Sequence, residues 1–284
     1  MTLAGPPVRV GLIGSAIQQS LSPAMHEKEG RACGLDYSYQ LIDLDLLGKQ
    51  VDDLPDLIAD CESKGYVGLN ITHPCKQAVL AYLTELSEDA RVLGAVNTVV
   101  LRDGKRIGHN TDWSGFLKSF RRGLPGTRLQ QVVQLGAGGA GAATAYAALT
   151  LGVQRLAIHD IEHVRASQLA DKLNAHFGGC RAVAVTAIES SMPGADGLIH
   201  ATPTGMVKHP GLPLPAKLLR PSMWVAEIVY FPMETGLLRT AKQIGCRTLD
   251  GGGMAVFQAA EAFRLFTGIA PNAQRMLQHF DSMR

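Results

Sequence analysis

The chain has 284 residues, enough for about two domains each with its own core. Its 46% apolar and 18% charged content is that of an ordinary globular protein, and a net charge of +2 with no Lys/Arg-rich run argues against a nucleic-acid partner. Nowhere is there an apolar stretch of about 18 residues or a signal-peptide pattern, so no membrane association is expected. Five scattered cysteines without a C-x-x-C pair suit free thiols and a reducing, cytoplasmic setting.

In chain order, Val8–Ile13 reads as a buried strand and Pro23–Cys33 as a helix with proline in its first turn. Tyr37–Leu44 alternates as a second strand, and Leu46–Lys64 carries leucines and valine near helical spacing. Val67–Ile71 and Ala95–Leu101 follow as strands. Alternation of strands with helices predicts parallel pairing and right-handed crossovers. Arg102–Lys105 has hairpin composition, so Arg106–Asn110 is expected to return antiparallel. Trp113–Gly123 is a linking helix, ended by Leu124-Pro-Gly126. Strands are predicted at 131–135, 155–159, 182–185, 197–200 and 224–229, and helices over Met254–Thr267 and Pro271–Met283. Three prolines mark 206–215 as a mobile loop. The predicted fold is α/β with two domains. An N-terminal α/β substrate domain with a mostly parallel sheet takes 1–112 plus 254–284, and a Rossmann-type NAD-binding domain takes 113–253.

The most specific feature is Gly136-Ala-Gly-Gly-Ala-Gly141, placed between the apolar run Val132–Leu135 and the Ala-rich stretch Ala142–Leu151. A G-x-G-x-x-G in this context puts a tight turn, a close backbone approach and a helix N-terminus against a pyrophosphate. Gly136, Gly138, Gly139, Ala140 and Gly141 would line it. The next strand ends in Asp160, 24 positions after Gly136. An acid there accepts ribose hydroxyls and repels a 2′-phosphate, so NAD is expected and NADP disfavoured. Arg165, one helical turn on, would stack on adenine, pair with Asp160 or simply face solvent.

Four further polar patterns lie at or just beyond C-terminal strand ends, where open α/β sheets bind ligands. They are Ser20-Leu-Ser22-Pro23, Asn70–Lys76, Gly94–Thr98 and Asn110–Gly115. With Ala201-Thr-Pro-Thr-Gly-Met206 and Asp250-Gly-Gly-Gly-Met254…Gln258, the chain resembles the shikimate/quinate dehydrogenase family over essentially its whole length. Around Asp160, Ile228–Pro232 and Phe263–Gly268 the chain looks most like the family's quinate-active, NAD-linked branch. The resemblance implies Lys76 as catalytic lysine and Asp112 as its partner. It also implies Ser20 and Ser22 as carboxylate donors, and Thr72, Lys76, Asn97, Asp112, Tyr230 and Gln258 as further substrate contacts. Thr202, Pro203, Thr204, Met206, Val229, Gly251 and Met254 would surround the nicotinamide half. Taken singly, Ser22 would serve as a helix cap and Asn97 as a turn residue.

A lysine is a base near neutrality only if burial lowers its pKa, whereas a neighbouring carboxylate raises it. Asp112 is therefore expected to orient the ammonium and hold a substrate hydroxyl, with the proton acceptor left open. Cys75 reads as an inert thiol, and nine histidines without metal-ligand spacing predict no metal site. The expected activity is NAD-dependent oxidation of the C3 hydroxyl of quinate or shikimate. Its alternatives are a biosynthetic shikimate dehydrogenase, a member acting on amino-substituted analogues, or a non-catalytic NAD-binding sensor. In the family a threonine in place of the second serine often accompanies quinate use, so Ser22 counts against quinate. The expected partner is the small-molecule substrate; a homodimer is the one protein assembly considered.

Overall fold

A computed structural model describes residues 6–283. The chain divides into two compact units, Met1–Thr111 with Val256–Arg284, and Asp112–Ala255. The first contains β1 (Val8–Gly14), α1 (Ser22–Ala32), β2 (Tyr37–Asp43), α2 (Leu44–Leu47), α3 (Leu54–Ser63), β3 (Tyr66–Ile71), β4 (Glu85–Leu86), α4 (Glu88–Leu93), β5 (Thr98–Arg102) and β6 (Lys105–His109). These strands form a six-stranded sheet in the order β2-β1-β3-β5-β6-β4. β1 pairs in parallel with β2 and β3, as the alternation predicts. β5 instead runs antiparallel to β3, and β6 antiparallel to β5. The antiparallel return of β6 is the one the hairpin composition predicts, whereas the antiparallel pairing of β5 with β3 departs from the expected parallel arrangement.

Successive residues of β1 show why its run is almost wholly apolar. Val10 and Leu12 pack with Phe263 and Phe266 on one face, while Ile13 packs with Leu54 and Ile58 on the other. A strand covered on both faces favours apolar residues at successive positions. The single helix expected over Leu46–Lys64 is not continuous. It breaks into α2, a 3₁₀ turn at Val51–Asp53, and α3. The breaks have local causes: Gly48 ends α2 in the left-handed region at φ 62°, and Pro55 enters the first turn of α3.

The second unit holds α5 (Asp112–Gly123), β7 (Gln131–Leu135), α6 (Gly139–Leu151), β8 (Arg155–His159), α7 (His163–Phe177), β9 (Ala182–Ala184), β10 (Gly197–His200), β11 (Trp224–Glu227), α8 (Gly236–Ile244) and β12 (Arg247–Leu249). Its sheet has the order β12-β11-β10-β7-β8-β9, with parallel pairing throughout. The order reverses between β7 and β10, which is where a doubly wound sheet opens a ligand crevice. α9 (Gly252–Thr267) runs from the second unit into the first, where α10 (Ala273–Ser282) follows it. Among the described residues, no helix is long and apolar enough to cross a membrane.

Candidate active site

In the second unit the glycine loop is built as its sequence demands. Gly136 sits at φ 100°, and a Cβ there would lie 2.4 Å from the Ala201 carbonyl oxygen. A Cβ on Gly141 would lie 2.3 Å from the Gly136 oxygen, so helix and strand close only over hydrogen. Gly138, which caps α6, is different: a Cβ there meets nothing within 4 Å. Space held open beside a helix N-terminus fits a pyrophosphate. Gly139 and Ala140 open the helix and are half-buried. Beneath the loop, the fully buried Gln134 donates from Nε2 to the carbonyls of Gly136 (2.9 Å) and Gly141 (2.8 Å). Its Oε1 accepts the Thr144 hydroxyl at 3.0 Å.

Asp160 follows β8 directly, and its Oδ2 accepts the Ala137 N–H at 2.7 Å. Its Oδ1 accepts Glu162 N–H at 2.9 Å. Arg165 is exposed and pairs with Glu162 at 2.9 Å, which answers the expectation of a pair with Asp160 in the negative. The i,i+3 spacing brings Glu162 within easier reach. Thr202 and Thr204 are half-buried, Pro203 and Met206 exposed, and Val229 and Met254 buried. Gly251 packs against the chain, since a Cβ there would sit 2.4 Å from the Ile228 oxygen.

In the first unit, Ser20 and Ser22 flank the start of α1. Ser22 lies inside the helix, whose N-cap is Leu21 with no side-chain cap bond. The capping role is therefore not the one Ser22 plays; its N–H instead donates to Ser20 Oγ at 3.3 Å. The preceding turn is anchored by buried Asp43, whose carboxylate accepts Ile17 N–H (3.2 Å) and Gln18 Nε2 (2.9 Å). Burial alone would raise the Asp43 pKa. The Gln18 amide and the N–H groups of Ile17, Asp45 and Ala16 outweigh it and hold the carboxyl below its usual value.

Asn97 is buried and bonded on several sides. Its Oδ1 accepts Thr111 N–H at 2.7 Å, and its Nδ2 donates to Thr111 Oγ at 2.9 Å. Thr111 Oγ also lies 3.5 Å from Gln258 Oε1, so one hydroxyl connects two of the expected substrate contacts. Behind them Asn70 Nδ2 donates to the Asn97 carbonyl at 3.2 Å, and Asn70 Oδ1 accepts the Tyr39 hydroxyl at 2.9 Å. Thr72 and Lys76 follow β3; the Thr72 N–H donates to Ile13 O and the Lys76 carbonyl accepts Val96 N–H, each at 2.9 Å. Cys75 is fully buried, and burial pushes its thiol up to about 11, in keeping with an inert group.

Asp112 is the buried first residue of α5. Within the second unit its charge acts on Tyr230, whose phenol is raised first by burial and then by that carboxylate. The structure thus groups Ser20 with Ser22, Asn97 with Gln258, Asp112 with Tyr230, and the glycine loop with Asp160. The supporting residues Gln134, Asp43 and Tyr39 were not anticipated. Only Gln134 left a signal, as a polar residue in a strand buried on both faces.

Comparison with known proteins identifies the family. The family model for the shikimate dehydrogenase substrate binding domain matches residues 12–99, and that for the shikimate 5'-dehydrogenase C-terminal domain matches 251–279. The chain is 58% identical, over 94% of its length and 93% of the relative's, to a shikimate dehydrogenase (NADP(+)) of Streptomyces avermitilis. It is 48% identical to a quinate/shikimate dehydrogenase (NAD(+)) of Corynebacterium glutamicum (strain R), over 97% of this chain and 99% of that one. The solved quinate dehydrogenase from Corynebacterium glutamicum in complex with NAD superposes with a TM-score of 0.91 at 48% identity, covering 97% and 99% of the two chains. Similarity of this extent and degree makes the chain a member of the shikimate/quinate dehydrogenase family of oxidoreductases.

Proposed function

We propose that this chain oxidises the C3 hydroxyl of quinate or shikimate to the 3-dehydro acid, with NAD preferred over NADP. The observation that carries the cofactor preference is Asp160, whose carboxylate closes the end of β8 and is tied to the glycine loop through Ala137. A fixed negative charge at that strand end favours a ribose diol over a 2′-phosphate. Relatives of both cofactor names resemble the chain, so overall identity does not decide the matter.

The residues fit the dinucleotide, as the open space at Gly138 and the ungapped closure at Gly136 and Gly141 indicate. When bound, NAD supplies the hydride acceptor. The chain's own groups do the rest. Ser20 and Ser22 donate hydroxyls to the substrate carboxylate, while Thr72, Asn97, Gln258 and Tyr230 orient the ring. Lys76 and Asp112 hold the reacting hydroxyl, and its single proton passes to one of these two groups as the hydride leaves C3. Fixing Asn97 through Thr111 spares the site the cost of ordering that amide when substrate arrives.

A second reading, reduction of 3-dehydroshikimate with NADPH, is favoured by Ser22 where quinate users often carry threonine. Initial rates with quinate and shikimate, each with saturating NAD or NADP, separate the two. Turnover of either acid with NAD and little with NADP supports the proposal; turnover confined to shikimate with NADP supports the alternative.

A further inference from the structure

A buried polar cluster in the second unit has no part in the chemistry above. His200 and Glu227 are the last residues of β10 and β11 and stand opposite each other in the sheet register. Their exposures are 0% and 1%, and the strands leading to them are apolar. Both Glu227 oxygens lie 2.9 Å from His200 Nδ1. Glu227 Oε1 also accepts Val229 N–H at 2.9 Å, and Oε2 accepts the Thr235 hydroxyl at 3.0 Å. The other ring nitrogen, Nε2, lies 2.5 Å from Thr202 Oγ. That oxygen in turn accepts Thr204 N–H at 3.3 Å.

Two apolar side chains of similar volume would fill this space at no greater cost, because a buried polar pair must first be stripped of water. What apolar residues lack is direction. This cluster ends on three points of the chain: Thr202 after β10, Val229 after β11, and Thr235 at the start of α8. The first two begin the segments that the family resemblance places around the nicotinamide half. Residues 201–205 lie outside helix and strand; backbone bonds hold Ala201 to Leu135 and Gly205 to His209, while the Thr204 N–H is taken up by the Thr202 side chain, so the order of that turn depends on where Thr202 Oγ is held. With Nδ1 turned to the carboxylate, Nε2 faces Thr202 Oγ and fixes where that oxygen stands.

We propose that His200 and Glu227 are positioning residues that fix the Thr202 loop and the start of the Val229 segment for the nicotinamide end of the dinucleotide. The inference rests on the dinucleotide reading and adds to it which buried groups act, and on which half of the ligand. It predicts a selective effect. Binding of the nicotinamide-bearing ligand should weaken when the cluster is cut, and binding of the ADP-ribose portion should not.

The test is calorimetric titration of the full chain with NADH and, separately, with ADP-ribose, which lacks nicotinamide. Thr202→Val removes one hydroxyl from a half-buried position and His200→Asn shortens the reach to Thr202 while keeping a donor for Glu227. Each is expected to weaken NADH binding about three- to tenfold, the scale of one lost hydrogen bond. ADP-ribose should bind within about twofold of wild type, and Thr202→Ser should restore NADH binding. Equal loss for both ligands would mean a merely structural role and would overturn the inference. So would unchanged NADH binding in Thr202→Val, which also carries the test if His200→Asn does not fold. A wild-type chain that binds neither ligand would overturn the dinucleotide reading itself, and this inference with it.

Discussion

Ala137 and Asp160 are joined by a 2.7 Å hydrogen bond, so the glycine loop and the acid that ends β8 are held as one piece. The second carboxylate oxygen is held by Glu162 N–H at 2.9 Å. A charge anchored at both oxygens is fixed at the strand end, where the proposed cofactor preference requires it. Asp160→Asn keeps the shape and removes the charge. Its KM for NAD should rise about ten- to hundredfold, the scale of a lost charge-assisted hydrogen bond, while its KM for NADP falls. Steady-state kinetics with each dinucleotide at fixed quinate reads both shifts.

The glycines of the loop should separate into two kinds. Gly138→Ala adds a methyl group where the protein has no atom within 4 Å, so its melting temperature should match wild type. The same methyl would occupy space needed by the pyrophosphate and weaken NADH binding roughly tenfold or more. Gly141→Ala forces a contact 2.3 Å from the Gly136 oxygen and should lower stability first. Thermal melts beside NADH titrations distinguish the two.

Asp43 predicts a stability effect with a definite sign. Its folded pKa is below the ordinary aspartate value. The stabilisation it provides is therefore complete above about pH 4, and is lost as pH falls through the lowered value. Asp43→Asn should be less stable than wild type by about 1–3 kcal/mol at neutral pH, and the gap should close on acidification. Because Asp43 holds the turn before Ser20, the KM for the acid substrate should rise as well. Denaturant melts between neutral and acid pH, with KM at pH 7, test both parts.

His26 acts over a higher range. It is fully buried beside Tyr39 and Phe263, and burial holds its imidazole down at about 3. An unfolded histidine takes up its proton near pH 6.5, so between about 6.5 and 3 the unfolded chain binds one proton more. Stability should fall with pH in that window by about 1.4 kcal/mol per unit from this residue alone. His26→Leu is expected to flatten that slope whatever its absolute stability, as chemical melts at several pH values would reveal.

Lys76 and Asp112 carry the chemistry in this account. Lys76→Ala and Asp112→Asn should each lower kcat by about 10² to 10⁴, the usual worth of a positioned proton-transfer group. NADH affinity should stay near wild type in Lys76→Ala. Single-turnover absorbance at the NADH band, together with equilibrium titration, checks the two halves of this prediction.

The parts of this fold set by local chemistry were readable before any coordinates. Glycines followed by an Ala-rich stretch, an acid at the next strand end and buried apolar runs specify β7, α6 and β8 from within a few residues. Short elements such as β4 and β12 carry too few positions for a period to show. The direction of β5 depends on its partner in space, which spacing along the chain does not encode. The break between α2 and α3 was signalled by Gly48 and Pro55 and lost beneath the run of leucines. Among site residues, those in dense polar motifs stood out, whereas supporting groups did not. Gln134, His200 and Glu227 are buried in or at the end of mostly apolar strands, where a polar residue must have a partner. That rule points to such residues but cannot name the partner.

The most direct test of the cofactor assignment is equilibrium titration of the unmodified chain with NAD and with NADP under identical conditions. The account predicts that NAD binds and that NADP binds at least roughly tenfold more weakly, because its phosphate must approach the Asp160 carboxylate. NADP binding as tightly as NAD, or more tightly, would contradict it and remove Asp160 from the ribose site.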